Sequence, residues 1–196
     1  MSELLLMSGG MDSAAIAAWR RPSLCLTVNY GQRSAEAEET ASAQICEDLG
    51  LAHEMINISC GALGSGDMAG TPALDIAPCP EWWPFRNQLL LTVGASIAVV
   101  RHIDTLLFGT VSTDNSHADG RGDFFENMNR LLGAQEGNLR VVTPAIGLTT
   151  AELVRKSGIA REVLAWAHSC HTGRYSCGAC RGCEKYLSVL DELGWR

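Results

Sequence analysis

Short apolar runs alternate along the chain with longer amphipathic segments. Apolar runs occupy residues 4–7 and 24–28, and three further strands are predicted over residues 53–58, 105–109 and 139–143. Runs of this length, bounded by glycine, asparagine and other polar residues, are typical of buried strands. The segments between and after them predict helices over residues 14–19, 34–49, 87–100, 123–132 and 181–193. The pattern Thr149-Thr150-Ala151-Glu152 has the form of a capping box and predicts the start of one more helix.

Strands that alternate with helices predict an α/β fold with a doubly wound, five-stranded parallel sheet. Ligands of such sheets bind beyond the carboxyl ends of the strands, near the point where the strand order reverses. The loops after the first, second, fourth and fifth strands are therefore the expected site. Residues 59–85 form a long loop rich in Gly and Pro that carries Trp82 and Trp83, and loops of this length in compact domains are usually functional or mobile.

Composition narrows the class of protein. The chain has 196 residues, 46% of them apolar, which is enough for one ordinary domain with a full core. The formal charge is −7 and the only lysines are Lys156 and Lys185, a balance that argues against nucleic acid partners. No apolar run is long enough to span a bilayer, and the first strand begins at once, so we expect no membrane segment, no signal peptide and a cytoplasmic location.

The residues after the first apolar run carry the most specific signal in the chain. They read Ser8-Gly9-Gly10-Met11-Asp12-Ser13 and lead directly into an alanine-rich helix. We call residues 8–13 the glycine loop. A glycine turn between a strand and a helix directs backbone N–H groups and the positive end of the helix dipole at one point, which suits a phosphate. The loop lacks the lysine of G-x-x-x-x-G-K-[ST] sequences and resembles the SGGxDS pyrophosphate-binding loop of ATP pyrophosphatases.

The cysteines fall into two groups. Four are scattered, and the other four lie within fourteen residues at C-x6-C-x2-C-x2-C spacing: Cys170, Cys177, Cys180 and Cys183. We call these four the cysteine cluster. Four thiolates in this arrangement predict a closed, structural zinc site. An iron–sulfur cluster also takes four thiolates, and the spacing leaves that alternative open. His168 and His171 flank Cys170 and are interpreted as ordinary residues or as residues at the rim of a site.

The glycine loop and the cysteine spacing together resemble the 7-cyano-7-deazaguanine synthase (QueC) family of the PP-loop superfamily. The likeness covers nearly the whole chain, and three further segments carry it: Asn29-Tyr30-Gly31-Gln32-Arg33, Pro84-Phe85-Arg86-Asn87 and Thr143-Pro144-Ala145-Ile146 with Leu148-Thr149 and Ala151-Glu152. The resemblance implies an adenine nucleotide alpha hydrolase-like fold. Residues 1–160 would form its nucleotide-binding α/β domain and residues 161–196 a small helical appendix that binds zinc.

The resemblance also implies a reaction. The carboxylate of 7-carboxy-7-deazaguanine attacks the α-phosphate of ATP, ammonia displaces AMP to give an amide, and a second ATP converts the amide to the nitrile. The implied catalytic residues are Ser8, Asp12, Ser13 and Arg86, and Asp12 is the nearest carboxylate for Mg²⁺. The implied ATP-binding residues are Ser8, Gly9, Gly10, Met11, Asp12, Ser13, Asn29, Tyr30, Arg86, Asn87 and Gly109. Family analogy further allows a homodimer.

The loop after the fourth strand carries substrate recognition in this family. The residues that match the family pattern are Asp114, Ser116, Asp119, Arg121 and Phe124. The candidate substrate residues are Asp114, Ser116, His117, Asp119 and Arg121. A carboxylate there could accept hydrogen bonds from the edge of a guanine-like ring, although aspartates are also common turn formers. Several positions depart from the family pattern: residues 59–85, His117-Ala118 in place of Gly-Tyr-Pro, Asn29 in place of Asp, and Glu184 and Tyr186 after the last cysteine.

These departures lie around the expected substrate, and they leave three hypotheses. The first is the synthase reaction. The second is a QueC-like paralogue that couples an activated deazaguanine to an amine of a protein partner in anti-phage defence. The third is a non-catalytic, zinc-stabilised nucleotide-binding module, against which the intact glycine loop argues. Transfer-RNA thiolases share the ATP loop, but they need a basic face that the acidic balance does not favour.

Overall fold

The computed structural model describes residues 2–196, except for the side chains of residues 115 and 116. Five strands form one sheet: β1 (Glu3–Leu6), β2 (Leu24–Asn29), β3 (His53–Asn57), β4 (Thr105–Leu107) and β5 (Arg140–Val142). The helices are α1 (Met11–Arg20), α2 (Ala35–Leu49), α3 (Gly66–Ala69), α4 (Arg86–Val100), α5 (Gly122–Gly133), α6 (Thr150–Ser157), α7 (Arg161–Leu164) and α8 (Arg181–Leu193). The predicted α/β class and the five strands are confirmed.

The sheet is parallel throughout, in the order β3-β2-β1-β4-β5. The chain adds β2 and β3 on one side of β1 and then crosses to add β4 and β5 on the other. The strand order therefore reverses between β1 and β4. The loops that leave these two strands diverge there and open a crevice at their carboxyl ends, where such sheets bind ligands.

Side-chain alternation along β1 divides the core into two layers. Leu5 points to a layer shared with helices α1, α6 and α8, whereas Leu4 and Leu6 point to a layer shared with α4 and α5. All three leucines are buried. Both faces of β1 are thus covered, which explains why its sequence is a continuous apolar run rather than an alternating one. The first of the two layers includes Val189, so α8 packs on the same core as the sheet.

The predicted capping box fixes the beginning of α6. The Thr149 side chain accepts a hydrogen bond from the Glu152 N–H at 3.2 Å, and the Thr149 N–H donates to the Glu152 carboxylate at 2.8 Å. Two backbone N–H groups that the helix leaves unpaired are satisfied in this way.

Residues 59–85 are folded onto the core. Trp83 is 2% exposed and packs edge-to-face on Tyr30, with ring centroids 5.0 Å apart. Gly66, the first residue of α3, has φ +68°. It lies so close to Pro80 that a Cβ at position 66 would be 1.9 Å from the Pro80 oxygen. The Asp67 N–H donates to that oxygen at 2.8 Å. This loop therefore presents its end, residues 79–83, at a fixed position.

Across the described residues, no helix is both long and apolar enough to cross a bilayer.

Candidate active site

A cavity of about 570 Å³ opens where the strand order reverses. The glycine loop and the loop after β4 form its floor, and the last residues of the long loop, the start of α4 and the start of α8 form its sides. Its size is within the usual range for small-molecule sites. The structure brings the following predicted residues to its lining: Ser8, Gly10, Met11, Asp12, Ser13, Tyr30, Arg86, Asn87, Gly109, Asp114, His117 and Cys170.

The glycine loop is shaped by a buried glycine. Gly9 has φ +72°, and a Cβ there would lie 2.8 Å from the Glu38 backbone oxygen. A side chain is thus excluded by both conformation and space. The Gly10 N–H donates to the Ser8 hydroxyl at 3.3 Å, and the Ser13 hydroxyl donates to the Gly10 carbonyl at 3.0 Å. The two hydroxyls lie 3.1 Å apart beside the N-terminus of α1, and each can rotate its O–H toward an anion bound there.

Lys185 is a site residue that the sequence did not predict. Its ammonium donates to Asp12 at 2.9 Å and to Asp114 at 3.3 Å. Burial alone would lower the pKa of Lys185, but the two carboxylates outweigh it, and the pKa is raised above its ordinary value. The lysine therefore carries a positive charge at the glycine loop, which has no basic residue near it in sequence. The rarity of lysine in the chain, and its place directly after the cysteine cluster, were the available signals.

One oxygen of Asp12 remains available. While Oδ2 accepts from Lys185, Oδ1 is buried and finds no hydrogen-bond partner among the described residues. A buried carboxylate oxygen without a partner is costly unless a ligand satisfies it. An oxygen-seeking cation that also contacts phosphate fits this position.

Arg86, at the start of α4, also lines the cavity. Its guanidinium donates to the Asn87 side chain at 3.2 Å and contacts the Met68 sulfur at 3.1 Å. Two acidic groups face it: burial raises the pKa of the Tyr30 hydroxyl and of the Glu38 carboxyl, and the positive charge of Arg86 partly opposes both shifts. Arg86 thus has partners for orientation but keeps donors for a ligand in the cavity.

Other predicted residues have structural partners in this structure. Asp119 caps α4, because its carboxylate accepts from the Asn87 N–H at 3.2 Å and its carbonyl accepts from the Asn87 side chain at 2.8 Å. Asn29 donates to Glu39 at 2.9 Å. Asn29, Asp119 and Arg121 lie outside the cavity lining, as judged on the described residues, as does Gly9 beneath the loop. The side chain of Ser116 lies outside the described residues.

A group of three unlike donors lies at the side of the cavity. Cys79 Sγ is 3.5 Å from His117 Nε2, and that same nitrogen is 4.0 Å from a Glu81 oxygen. We call Cys79, Glu81 and His117 the donor triad. Glu81 is 7% exposed and accepts from Arg181 at 2.7 Å. Burial and the neighbouring Glu81 raise the pKa of Cys79 to about 11.

Burial and nearby charges also shift the pKa values of His117 and Glu81, the other two members of the donor triad. Burial and Arg86 lower the pKa of His117, which is therefore neutral near pH 7. Burial alone would raise the pKa of Glu81, but hydrogen bonds from its own N–H and from Cys79, together with Arg181, lower it. Glu81 is therefore ionised.

The cysteine cluster has the geometry of a single-ion site. All four sulfurs lie within 4.8 Å of one another; Cys177 and Cys183 are 3.9 Å apart, and Cys170 and Cys180 are 4.0 Å apart. A tetrahedral zinc ion with bonds of about 2.3 Å separates its thiolates by about 3.8 Å. An iron–sulfur cubane attaches each thiolate to a different iron and holds them farther apart. The observed distances therefore fit one zinc ion.

The cysteine segment also contacts the glycine loop. The His168 N–H donates to the Gly9 carbonyl at 2.9 Å, and Cys170 lines the cavity. Hydrogen bonds from the N–H groups of Ala179 and Cys180 help to lower the pKa of Cys177 to about 6, which favours the thiolate that a metal requires. The segment that carries the cysteine cluster is thus attached to the loop that shapes the cavity.

A model of a known family matches nearly the whole chain. Residues 2–194 match the family model described as queuosine biosynthesis protein QueC. The 7-cyano-7-deazaguanine synthase of Methanothermobacter thermautotrophicus is 31% identical, over 99% of this chain and 96% of its own length. The enzyme of that name from Acidobacterium capsulatum is 32% identical, over 96% of this chain and 91% of its own length.

Solved structures show the same fold at lower identity. The U34-tRNA thiolase NcsA from Methanococcus maripaludis, which contains a [4Fe-4S] cluster, aligns with a TM-score of 0.55 at 17% identity over 98% of this chain and 65% of its own. A predicted tRNA methyltransferase subunit from Methanocaldococcus jannaschii aligns with a TM-score of 0.51 at 16% identity, over 100% of this chain and 91% of its own length. At these identities the likeness concerns the fold alone.

Proposed function

Because the chain belongs to the QueC family, we propose that it is an ATP-dependent ligase that makes 7-cyano-7-deazaguanine from 7-carboxy-7-deazaguanine and ammonia. The acid attacks the α-phosphate of ATP, which releases pyrophosphate and leaves an acyl-adenylate. Ammonia displaces AMP to give the amide, and a second ATP activates the amide oxygen before the nitrile forms. Relatives at about one-third identity over full length bear the name of this synthase.

The observation that carries the proposal is the glycine loop at the floor of the cavity. Its hydroxyls at Ser8 and Ser13 and the N-terminus of α1 converge on one point. Negative charge builds up on the leaving pyrophosphate during adenylation. Donors that are already oriented toward that charge stabilise it more than they stabilise the ground state.

Lys185 and Asp12 extend this site to the phosphates. We assign the Lys185 ammonium to the leaving pyrophosphate, since a positive charge partly removed from water acts strongly on a nearby anion. Its two carboxylate partners hold it in place. The unpartnered Oδ1 of Asp12 is the atom that would hold Mg²⁺. When bound, Mg²⁺ supplies charge neutralisation at the phosphate oxygens.

We place the deazaguanine acid beside Arg86. A guanidinium can hold a carboxylate through two parallel hydrogen bonds, and Arg86 lines the cavity together with Tyr30 and Glu38. This arrangement would direct the acid toward the α-phosphate above the glycine loop. Asp114 lies on the same cavity and is the proposed partner for the polar edge of the base.

We assign zinc to the cysteine cluster. The sulfur–sulfur distances fit a single tetrahedral ion, and four thiolates leave no coordination position for a substrate. The proposed role is structural: zinc would fix the segment that supports Gly9 and that begins α8.

The other hypotheses receive less support. The thiolase neighbour shares the fold at 17% identity, which does not transfer its activity. The names of the relatives described above refer to a synthase and not to defence, so coupling to a protein amine has no support from them. The cytoplasmic location and the homodimer stay predictions.

Mass spectrometry of the products tests the proposal. Incubation with ATP, Mg²⁺, 7-carboxy-7-deazaguanine and ammonium should give the nitrile, AMP and pyrophosphate. Asp12→Asn should lower the rate on the order of 100-fold or more, since it removes the carboxylate that holds Lys185 and would hold Mg²⁺, and a positive charge oriented at a developing anion typically contributes that much. AMP without nitrile would mean that activation is correct and the acceptor is not ammonia.

Asp75→Asn is the matched control, because Asp75 is an exposed carboxylate on the long loop and does not line the cavity. It should turn over at the wild-type rate. Wild-type turnover by Asp12→Asn, with a folded protein, would overturn the assignment of the glycine loop.

A further inference from the structure

We propose that the donor triad, Cys79, Glu81 and His117, is a second metal site, separate from the cysteine cluster, that binds a divalent ion of the zinc class at the side of the cavity. The proposal goes beyond the synthase reaction and does not depend on it. It rests on three donor atoms from two distant segments that converge on one point.

The distances match metal coordination. Bonds of about 2.3 Å to sulfur and about 2.0 Å to nitrogen place the two donors of a tetrahedral zinc ion about 3.5 Å apart. Cys79 Sγ and His117 Nε2 are 3.5 Å apart, and all three donor atoms lie within 4.8 Å of one another. The Glu81 oxygen that lies 4.0 Å from the same nitrogen also accepts from Arg181 at 2.7 Å, and it would have to move inward to bind the ion.

The direction of the imidazole separates metal binding from nucleophilic catalysis. A Cys–His–acid relay uses the two ring nitrogens for different partners, one for the nucleophile and the other for the acid. Here the thiol and the carboxylate both face Nε2. One nitrogen cannot relay a proton between them, whereas donors that face a common point are suited to an ion between them.

The mixed donor set indicates the class of metal. Thiolate, imidazole and carboxylate together favour zinc or a similar borderline ion over Mg²⁺ or Ca²⁺, which prefer oxygen ligands alone. The His117 and Glu81 side chains are only 18% and 8% exposed, so a bound ion would be partly shielded from water.

Three protein ligands leave one position of a tetrahedral ion open. Glu81 and His117 both line the cavity, so a water molecule or a ligand atom could occupy that position. Arg181 holds Glu81 at 2.7 Å and supplies the local positive charge when no ion is bound. Arg181 follows Cys180 directly, so this arrangement also brings the second site beside the first.

Metal analysis of the full-length protein tests the proposal without ATP or substrate. After loading with zinc and dialysis, mass spectrometry should find about two zinc ions per chain. Cys79→Ser, His117→Asn and Glu81→Gln should each lower this to about one, and Cys177→Ser should lose the other ion instead. Removal of one ligand should weaken zinc binding on the order of 100-fold or more.

Matched controls come from the same chain. Cys60 is a half-buried cysteine on the same long loop, and His102 is a histidine outside the cavity lining. Cys60→Ser and His102→Asn should leave the zinc content unchanged. Circular dichroism confirms that each variant is folded.

Cobalt substitution gives a second measurement. Co²⁺ at the donor triad should add one thiolate-to-metal absorption band that Cys79→Ser removes and Cys177→Ser does not. One zinc ion per wild-type chain, or a second ion that survives both Cys79→Ser and His117→Asn, would overturn the proposal.

Discussion

The floor and the side of the cavity are built in different ways. Backbone conformation shapes the glycine loop: the left-handed Gly9, the start of α1 and short-range bonds between residues 8 and 13 fix its donors. Side chains from separate segments shape the donor triad, where Cys79 and His117 are 38 positions apart. A short sequence can specify the first arrangement by itself, but the second exists only when the whole domain is folded.

This difference has consequences for tolerance to change. Most substitutions in the glycine loop should alter the backbone that orients its N–H groups. Substitutions in the donor triad should remove metal binding at the side of the cavity and leave the sheet and the glycine loop in place. The four predictions below test this contrast, from the largest expected effect to the smallest.

Gly9→Ala should have the largest effect. The new Cβ would lie 2.8 Å from the Glu38 oxygen in a left-handed conformation, so we expect ATP-dependent turnover to be lost and stability to fall by about 3 kcal/mol. Gly50 is the control: it has φ +62° and nothing within 4 Å of its Cβ position. Gly50→Ala should cost about 1 kcal/mol and keep activity. Chemical denaturation measures the free energy of unfolding, and a pyrophosphate assay measures turnover. Equal losses of stability in Gly9→Ala and Gly50→Ala would contradict the role of the close contact between position 9 and the Glu38 oxygen.

Cys177→Ser should lose the zinc of the cysteine cluster and lower the melting temperature. Structural zinc contributes folding free energy, so we expect a decrease on the order of 10 °C. Activity should also fall, since His168 of the same segment contacts Gly9. Calorimetry and metal analysis are the measurements. A zinc-free wild-type protein of unchanged stability would refute the structural role.

Gly66→Ala should affect the side of the cavity more than its floor. Its Cβ would lie 1.9 Å from the Pro80 oxygen, but Pro80 is exposed and the segment can move outward. We expect a loss of about 2 kcal/mol, weaker zinc binding at the donor triad and unchanged affinity for ATP. Calorimetric titrations with zinc and with ATP separate the two effects. A parallel loss of ATP affinity would show that floor and side are one cooperative unit.

Lys185→Met should have the smallest effect on stability and a selective effect on catalysis. We expect kcat/KM for ATP to fall about 10-fold to 100-fold, whereas Lys156→Met, which removes a surface lysine stacked on Trp19 at 4.3 Å, should leave it unchanged. The pKa of Lys185 is raised in the folded protein, so its stabilising charge is fully present below the unfolded pKa of about 10.4. That contribution is lost as the pH rises through the folded pKa. If the ratio of the wild-type rate to the Lys185→Met rate changed between pH 7 and 9, the assignment of a permanently charged Lys185 would be contradicted.

Local patterns explain what the sequence could predict. The apolar runs became the five strands, the capping box formed at Thr149, and the cysteine spacing produced a group of four sulfurs. Each of these depends on neighbours in the chain or on one strong periodicity. The glycine loop belongs to the same class, because its strand, turn and helix follow one another without interruption.

Long-range contacts explain what the sequence could not predict. Lys185 reaches Asp12 across 173 positions, and no local pattern distinguishes it from a surface lysine of α8. Glu184 and Tyr186 depart from the family pattern after the last cysteine, yet Lys185 between them supplies a positive charge to the site. Asp119 shows the opposite problem, since a helix-capping aspartate and a ligand-binding aspartate look alike in sequence.

The contact between His168 and Gly9 has a consequence for the order of events in folding. The glycine loop is completed by groups that are distant in sequence: the His168 N–H donates to Gly9, and the Lys185 ammonium reaches Asp12 across 173 positions. Contacts between residues so far apart in sequence form late, because the chain must first be ordered between them. We therefore expect the ability to consume ATP to return only in the last phase of refolding, when α8 has packed on the core layer that contains Val189.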